Sequence, residues 1–122
     1  MEFQLTEEQT LIRDSAISMV ERDIQPILDA HPVDQSLPKA AMRQLYDITT
    51  RQGLAAPRIP TSEGGGGMKM LDYGLIYEQL PAWFAVSVMA HEVTASRIYA
   101  EANPEQRERF MPDLFSGRKI AG

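Results

Sequence analysis

The sequence predicts an all-α fold, an antiparallel bundle of about five helices carrying one Gly/Pro-rich loop. Three observations predict it. Apolar residues recur at three- and four-residue steps in several segments. Cap residues and glycine stops punctuate those segments, and no convincing period-two run interrupts them. Short connections between such segments make neighbouring helices antiparallel. With 122 residues, 43% of them hydrophobic, the chain has material for one core, since domains of roughly 100–150 residues are the commonest size. One domain over residues 1–122 is expected.

Thr6-Glu7-Glu8-Gln9 has the form of a capping box, so the first helix should begin there, with Leu5 as a staple residue before it. Leu11, Ile12, Ala16, Met19, Val20, Ile24, Ile27 and Leu28 form its apolar face. Pro26 lacks an N–H and clashes one turn back, so it should kink the helix or end it near Gln25. His31 to Gln35 reads as a connection. Ser36 followed by Pro38 predicts a second helix start, running to about Gln52 with Leu37, Ala41, Leu45 and Ile48 inward. Gly53 should close it.

From Leu54 to Gly67 the chain holds two prolines and four successive glycines, which is loop chemistry. A third helix is predicted over about Lys69 to Leu80, with Leu71, Leu75, Ile76 and Leu80 on one side, and Pro81 breaks the path. The fourth, from near Trp83 through Ala100, is apolar around most of its circumference until Glu92, which predicts a helix buried inside the bundle. Asn103-Pro104 caps a short charged helix, Glu105 to Phe115, that Pro112 weakens and Gly117 terminates.

Composition excludes several functions. The net charge of -5, with twelve basic residues scattered among seventeen acidic ones, argues against a nucleic-acid partner, which needs a clustered cationic surface. There is no cysteine, hence no disulfide framework or thiolate chemistry, and a cytoplasmic location is expected. The longest apolar stretch, Ala82 to Ala90, is far shorter than the roughly 20 residues of a membrane span. Met1-Glu2-Phe3-Gln4-Leu5 has no basic region before an apolar one, so no secretory signal is expected.

Few residues invite a chemical role. The four glycines could cradle a phosphate through their amides, but Gly67 is followed by Met68-Lys69-Met70 instead of the Lys-Ser/Thr pair of a phosphate loop, so a structural turn is expected. His31 and His91 lack helical partners for a metal, and His91 reads as a hydrogen-bonded interior histidine. Glu7-Glu8 and the run Glu105 to Arg109 read as helix-start acids and a solvated face. The seven methionines read as core filler.

Taken in order, several segments resemble the N-terminal helical domain of the acyl-CoA dehydrogenase family across nearly the whole chain. Leu5-Thr6-Glu7-Glu8-Gln9 with Ile12-Arg13-Asp14-Ser15-Ala16 is similar to the family's opening helix, and Glu21 to Pro26 to its end. Gly53-Leu54 followed by Pro60 to Met68 resembles the family's Gly-Leu and Pro-Glu-Glu-Tyr-Gly-Gly-x-Gly-Met loop. Tyr77-Glu78-Gln79-Leu80 looks like its Glu-Glu-Leu. Asn103-Pro104-Glu105-Gln106 and Phe110 to Gly117 resemble Gly-Thr-Glu-Glu-Gln and Tyr-Leu-Pro-x-Leu-x-x-Gly. The chain departs at Glu63, where an aromatic is usual, at Pro81, where alanine is usual, and in a shorter stretch between Leu80 and His91.

The resemblance implies an FAD-dependent enzyme that removes hydrogens from the α and β carbons of an acyl-CoA thioester, with a glutamate base. It implies that a middle β-domain holds most of the flavin and that a C-terminal helical domain carries the base, both outside these residues, and that the whole enzyme is a homo-oligomer, a dimer or tetramer. This domain would supply one wall of the acyl pocket, and by position Ala85, Val88, Met89, Ala90 and Val93 would line it. The same helical domain is expected in acyl-CoA oxidases and flavin-dependent monooxygenases, and a non-catalytic helical interaction module is the alternative outside enzymes.

Overall fold

Residues 3–122 are described by a computed structural model; Met1 and Glu2 of the opening stretch lie outside the described residues. Among the described residues every regular element is helical, so the all-α expectation holds. Helix α1 spans Glu7–Met19. Its capping box is complete: Thr6 Oγ1 accepts from the Gln9 amide at 3.1 Å, and Gln9 Oε1 accepts from the Thr6 amide at 2.9 Å. Ala16 and Met19 point into the core, whereas Leu11, counted on the buried face, is exposed.

Pro26 does not end this helix. Val20–Ile24 form a π-helical turn, and the Gln25 amide reaches back five residues to the Val20 carbonyl. The wider turn makes room for the proline ring and its missing donor. Helix α2 then continues over Gln25–Asp29, so α1, the π turn and α2 act as the first of five helical rods.

Helix α3 spans Lys39–Arg51 and begins three residues after the expected Ser36 cap. The reason is local. Leu37 precedes a proline and is held out of the α region, its side chain packs on the core, and Pro38, extended at ψ 149, is itself the cap residue. Its carbonyl accepts the Met42 amide at 3.0 Å. Ala41, Leu45, Ile48 and Thr49 are buried, and Gly53, at φ +82, closes the helix as predicted.

The loop that follows is packed, not loose. Leu54, Ala55, Ala56, Pro57 and Ile59 are buried, and a 3₁₀ turn covers Thr61–Glu63. Helix α4, Met70–Tyr77, is shorter than expected. Gln79 and Leu80 bond back only three residues, because Leu80 precedes Pro81 and cannot stay helical. Leu71 is exposed, while Leu75, Tyr77 and Leu80 are buried.

Helix α5, Ala82–Glu101, and helix α6, Pro104–Phe115, complete the bundle. Helix α1 packs on α4, and α5 on α6. One core cluster gathers Met19, Ile24, Leu45, Leu54, Phe84 and Val88; a second joins Ala56, Ile59, Ala95, Met111 and Leu114. Helix α5 belongs to both and is the spine of the molecule. At the head of α6, Asn103 Oδ1 accepts from the Gln106 amide at 2.8 Å and Gln106 Oε1 from the Asn103 amide at 3.0 Å. Replacing Asn103 by alanine should therefore cost about 1 kcal/mol in a denaturant melt; a midpoint equal to the parent's would mean that the box contributes nothing.

Candidate functional site

Helix α5 is not buried all round, contrary to the expectation from its composition. Phe84, Val88, His91, Glu92 and Ala95 face inward. The opposite side carries Val86, Met89 and Val93, which are 66%, 46% and 42% exposed, with Ala90 exposed between them. Spacings of three and four residues align these four along one stripe. Apolar composition could not separate the two faces, since the buried one carries His91 and Glu92 while the open one is wholly apolar; only the packing of α3, α4 and α6 does.

Of the five residues that the family resemblance assigns to an acyl wall, Met89, Ala90 and Val93 lie on this stripe. Val88 is 2% exposed within the first core cluster, and Ala85 is half-buried against it. Val86, absent from that set, lies on the stripe; its position three residues before Met89 and four before Ala90 is the signal that finds it. No titratable side chain interrupts the stripe until the exposed Arg97. It can therefore bind an apolar group but cannot move a proton. Beside it, Trp83 and Ser87 face a groove of about 680 Å³, shared with Leu28, Leu37 and Met42.

Two polar groups sit behind the stripe. Glu92 is 1% exposed, and its Oε1 accepts from Arg58 Nε at 2.6 Å and Ser96 Oγ at 3.0 Å. Arg58 comes from the Gly/Pro loop, so this pair ties that loop to α5, and the bond to Glu92 raises the arginine's pKa. Nothing in the sequence linked two residues 34 positions apart. The Tyr77 hydroxyl is buried without a hydrogen-bond partner among the described residues; burial, then the charge of Glu92, pushes its pKa up, so it stays protonated.

His91 is an interior histidine, as expected, and its tautomer is defined. Nδ1 accepts the Ala121 amide at 3.1 Å, so the ring proton resides on Nε2, which donates to the Leu114 carbonyl at 3.1 Å. Burial lowers its pKa below the ordinary 6.5, against smaller raising effects from the Leu114 bond and Glu92. Because the folded state takes up the proton less readily than the unfolded one, the chain should lose stability as pH falls below about 6.5. A melt series in a His91→Asn variant should lose that part of the pH dependence; an unchanged profile would place its origin elsewhere.

The four glycines do not form an anion site. The amides of Gly64, Gly65, Gly66 and Gly67 donate to the carbonyls of Thr61, Pro60, Ala56 and Ile59, which leaves none for a phosphate. Among the described residues no group of three His, Asp or Glu side chains could hold a metal. No described helix is long and apolar enough to cross a membrane.

A family model described as "Acyl-CoA dehydrogenase, N-terminal domain" matches residues 6–118. The chain belongs to the acyl-CoA dehydrogenase family. It is 29% identical over 121 residues to the mitochondrial isobutyryl-CoA dehydrogenase of Dictyostelium discoideum, covering 96% of this chain and 28% of that protein. To the mitochondrial isovaleryl-CoA dehydrogenase of Bos taurus it is 26% identical over 120 residues, covering 95% and 28%. The chain thus spans under a third of the length of these relatives. A solved chain described under the electron transferring flavoprotein of Acidaminococcus fermentans superposes with a TM-score of 0.73 at 22% identity, over 98% of this chain and 32% of that one; it shares the fold. The α5 stripe is an apolar surface that the chain's own core leaves uncovered.

Proposed function

We propose that this chain works as the N-terminal domain of an FAD-dependent acyl-CoA dehydrogenase and that the outer stripe of α5 is one wall of its acyl pocket. The observation that carries the reading is that Val86, Met89, Ala90 and Val93 stay open on a helix whose other face is the centre of the core. Ligand sites are mostly apolar with few polar groups. The small Ala90 between the bulkier Met89 and Val93 gives the stripe a notch, and methionine adapts to the shape placed against it. Val88 and Ala85 support the wall from behind. A short or branched acyl group is the proposed substrate, in keeping with the isobutyryl and isovaleryl groups named for the two relatives.

Acceptance of hydride from the acyl chain is the chemistry that FAD supplies when bound. The loop amides here are spent on carbonyls, so the cofactor's phosphates would be held by parts of the enzyme beyond these residues. The base would lie there too. What this domain contributes is shape and exclusion of water along the acyl chain. A homo-oligomeric, cytoplasmic enzyme completes the proposal.

The test is to purify the full-length gene product, record its visible spectrum and add isobutyryl-CoA. A yellow protein whose flavin absorbance bleaches is the expected result; a colourless one would sink the reading. Met89→Asp should retain flavin and fold, since Met89 is half-exposed here, yet raise KM by at least about tenfold, because a carboxylate against an alkyl chain must lose its water. An unchanged KM would remove the stripe from the pocket.

A further inference from the structure

The closing segment Arg118–Gly122 runs back across the bundle after Gly117, which turns the chain at φ +67. Its first half is held from the surface. Arg43 Nη1 donates to the Arg118 carbonyl at 2.9 Å, the Lys119 amide donates to the Asp113 carbonyl at 3.2 Å, and both basic side chains pair with the Asp113 carboxylate. Its second half is held differently. Among the described residues, the only hydrogen bond made by residues 120–122 is the Ala121 amide into His91 Nδ1. Ala121 also packs on the second core cluster. A Cβ placed on Gly122 would stand 3.7 Å from that of Ala90, so this backbone lies against the stripe itself.

From this geometry we infer that His91 is a positioning residue: it fixes the register of Ala121 and Gly122 against Ala90 and so sets one edge of the apolar wall. The inference rests on the proposed function for its consequence, and on the hydrogen bonds alone for its geometry. One imidazole joins three segments. Its place on α5 is fixed by the core, its Nε2–H is anchored to the end of α6, and Nδ1 is thereby aimed at the returning amide. An acceptor at the Nδ1 position is the feature required. The anchoring bond to Leu114 holds the ring but does not touch the closing segment.

Three variants of the full-length protein separate the two bonds. His91→Asn keeps an acceptor where Nδ1 stood. His91→Gln keeps a donor where Nε2 stood and loses the acceptor. Ala121→Pro removes the donated proton and leaves His91 intact. Amide hydrogen exchange by mass spectrometry reads the peptide ending in residues 120–122, and steady-state kinetics with isobutyryl-CoA reads the wall. Loss of protection in His91→Gln and Ala121→Pro, with retention in His91→Asn, is the expected pattern. KM should rise about tenfold in the first two and stay within about twofold in the third, as expected for a misplaced pocket edge.

If protection and KM instead follow the melting temperature in all three variants alike, His91 is only a core residue and the inference fails. If exchange follows the pattern while KM stays flat in a flavin-bound enzyme, the segment is registered but forms no edge of the pocket, which overturns the functional half. A wild-type protein without flavin or turnover would instead defeat the proposed function, and the exchange pattern would still decide whether His91 sets the register.

Discussion

Changing Gly65 to alanine should cost at least about 3 kcal/mol of unfolding free energy, or prevent folding. An added Cβ would lie 2.1 Å from the Ile59 carbonyl oxygen and 2.6 Å from its carbon. Both are backbone atoms, so no rotamer change relieves the clash. Moving the Ile59 peptide would break the bond it accepts from Gly67 and the neighbouring bond from Gly66 to Ala56. It would also drag Ile59 and Ala56 out of the second core cluster. Gly74 is the control. Nothing stands within 4 Å of a Cβ there, and it lies inside α4, so Gly74→Ala should stabilise by roughly 0.5–1 kcal/mol. Urea melts of the two variants decide the matter; equal midpoints would show that the glycine loop yields more easily than its packing indicates.

The second large effect is an asymmetry across the Arg58–Glu92 pair. Arg58→Met leaves a carboxylate that is 1% exposed without its cation, and removing one partner of a buried pair costs about 3–5 kcal/mol. The lower end is expected because Ser96 still donates to Glu92 Oε1. Glu92→Leu leaves Arg58, whose side chain is 38% exposed and can rehydrate, so its cost should be nearer 1 kcal/mol. The double variant Arg58→Met with Glu92→Leu should recover most of the first loss, since an apolar pair of similar volume often replaces a buried ion pair at little cost. A double-mutant cycle in thermal melts measures this directly. Equal losses for the two single variants would show that the pair has no such asymmetry and that the exposed arginine depends on its partner as much as the buried carboxylate does.

These two sites also show where sequence reasoning stops. Caps and stops are local chemistry, so Thr6 with Gln9, Asn103 with Gln106, Gly53 and Gly117 could all be read without a structure. The Ser36 start failed because its hydroxyl signal competed with Pro38, and the proline's restriction on Leu37 prevailed. Pro26 was read as a helix end or kink, yet a π turn absorbs it, an outcome that depends on packing beyond the turn. The family resemblance assigned the acyl wall to α5, but residues 85 and 88 cannot be told from 89, 90 and 93 by apolarity alone.

The sequence by itself determined an all-helical domain, the main helix boundaries, the structural character of the glycine loop and membership of the acyl-CoA dehydrogenase family. Each rests on short-range spacing or on the order of motifs along the chain. Only the tertiary structure decided which face of α5 is open, that Arg58 neutralises Glu92, and that His91 receives the Ala121 amide. Those depend on contacts between residues tens of positions apart, and a face is buried or bare only according to which other helix comes to lie on it.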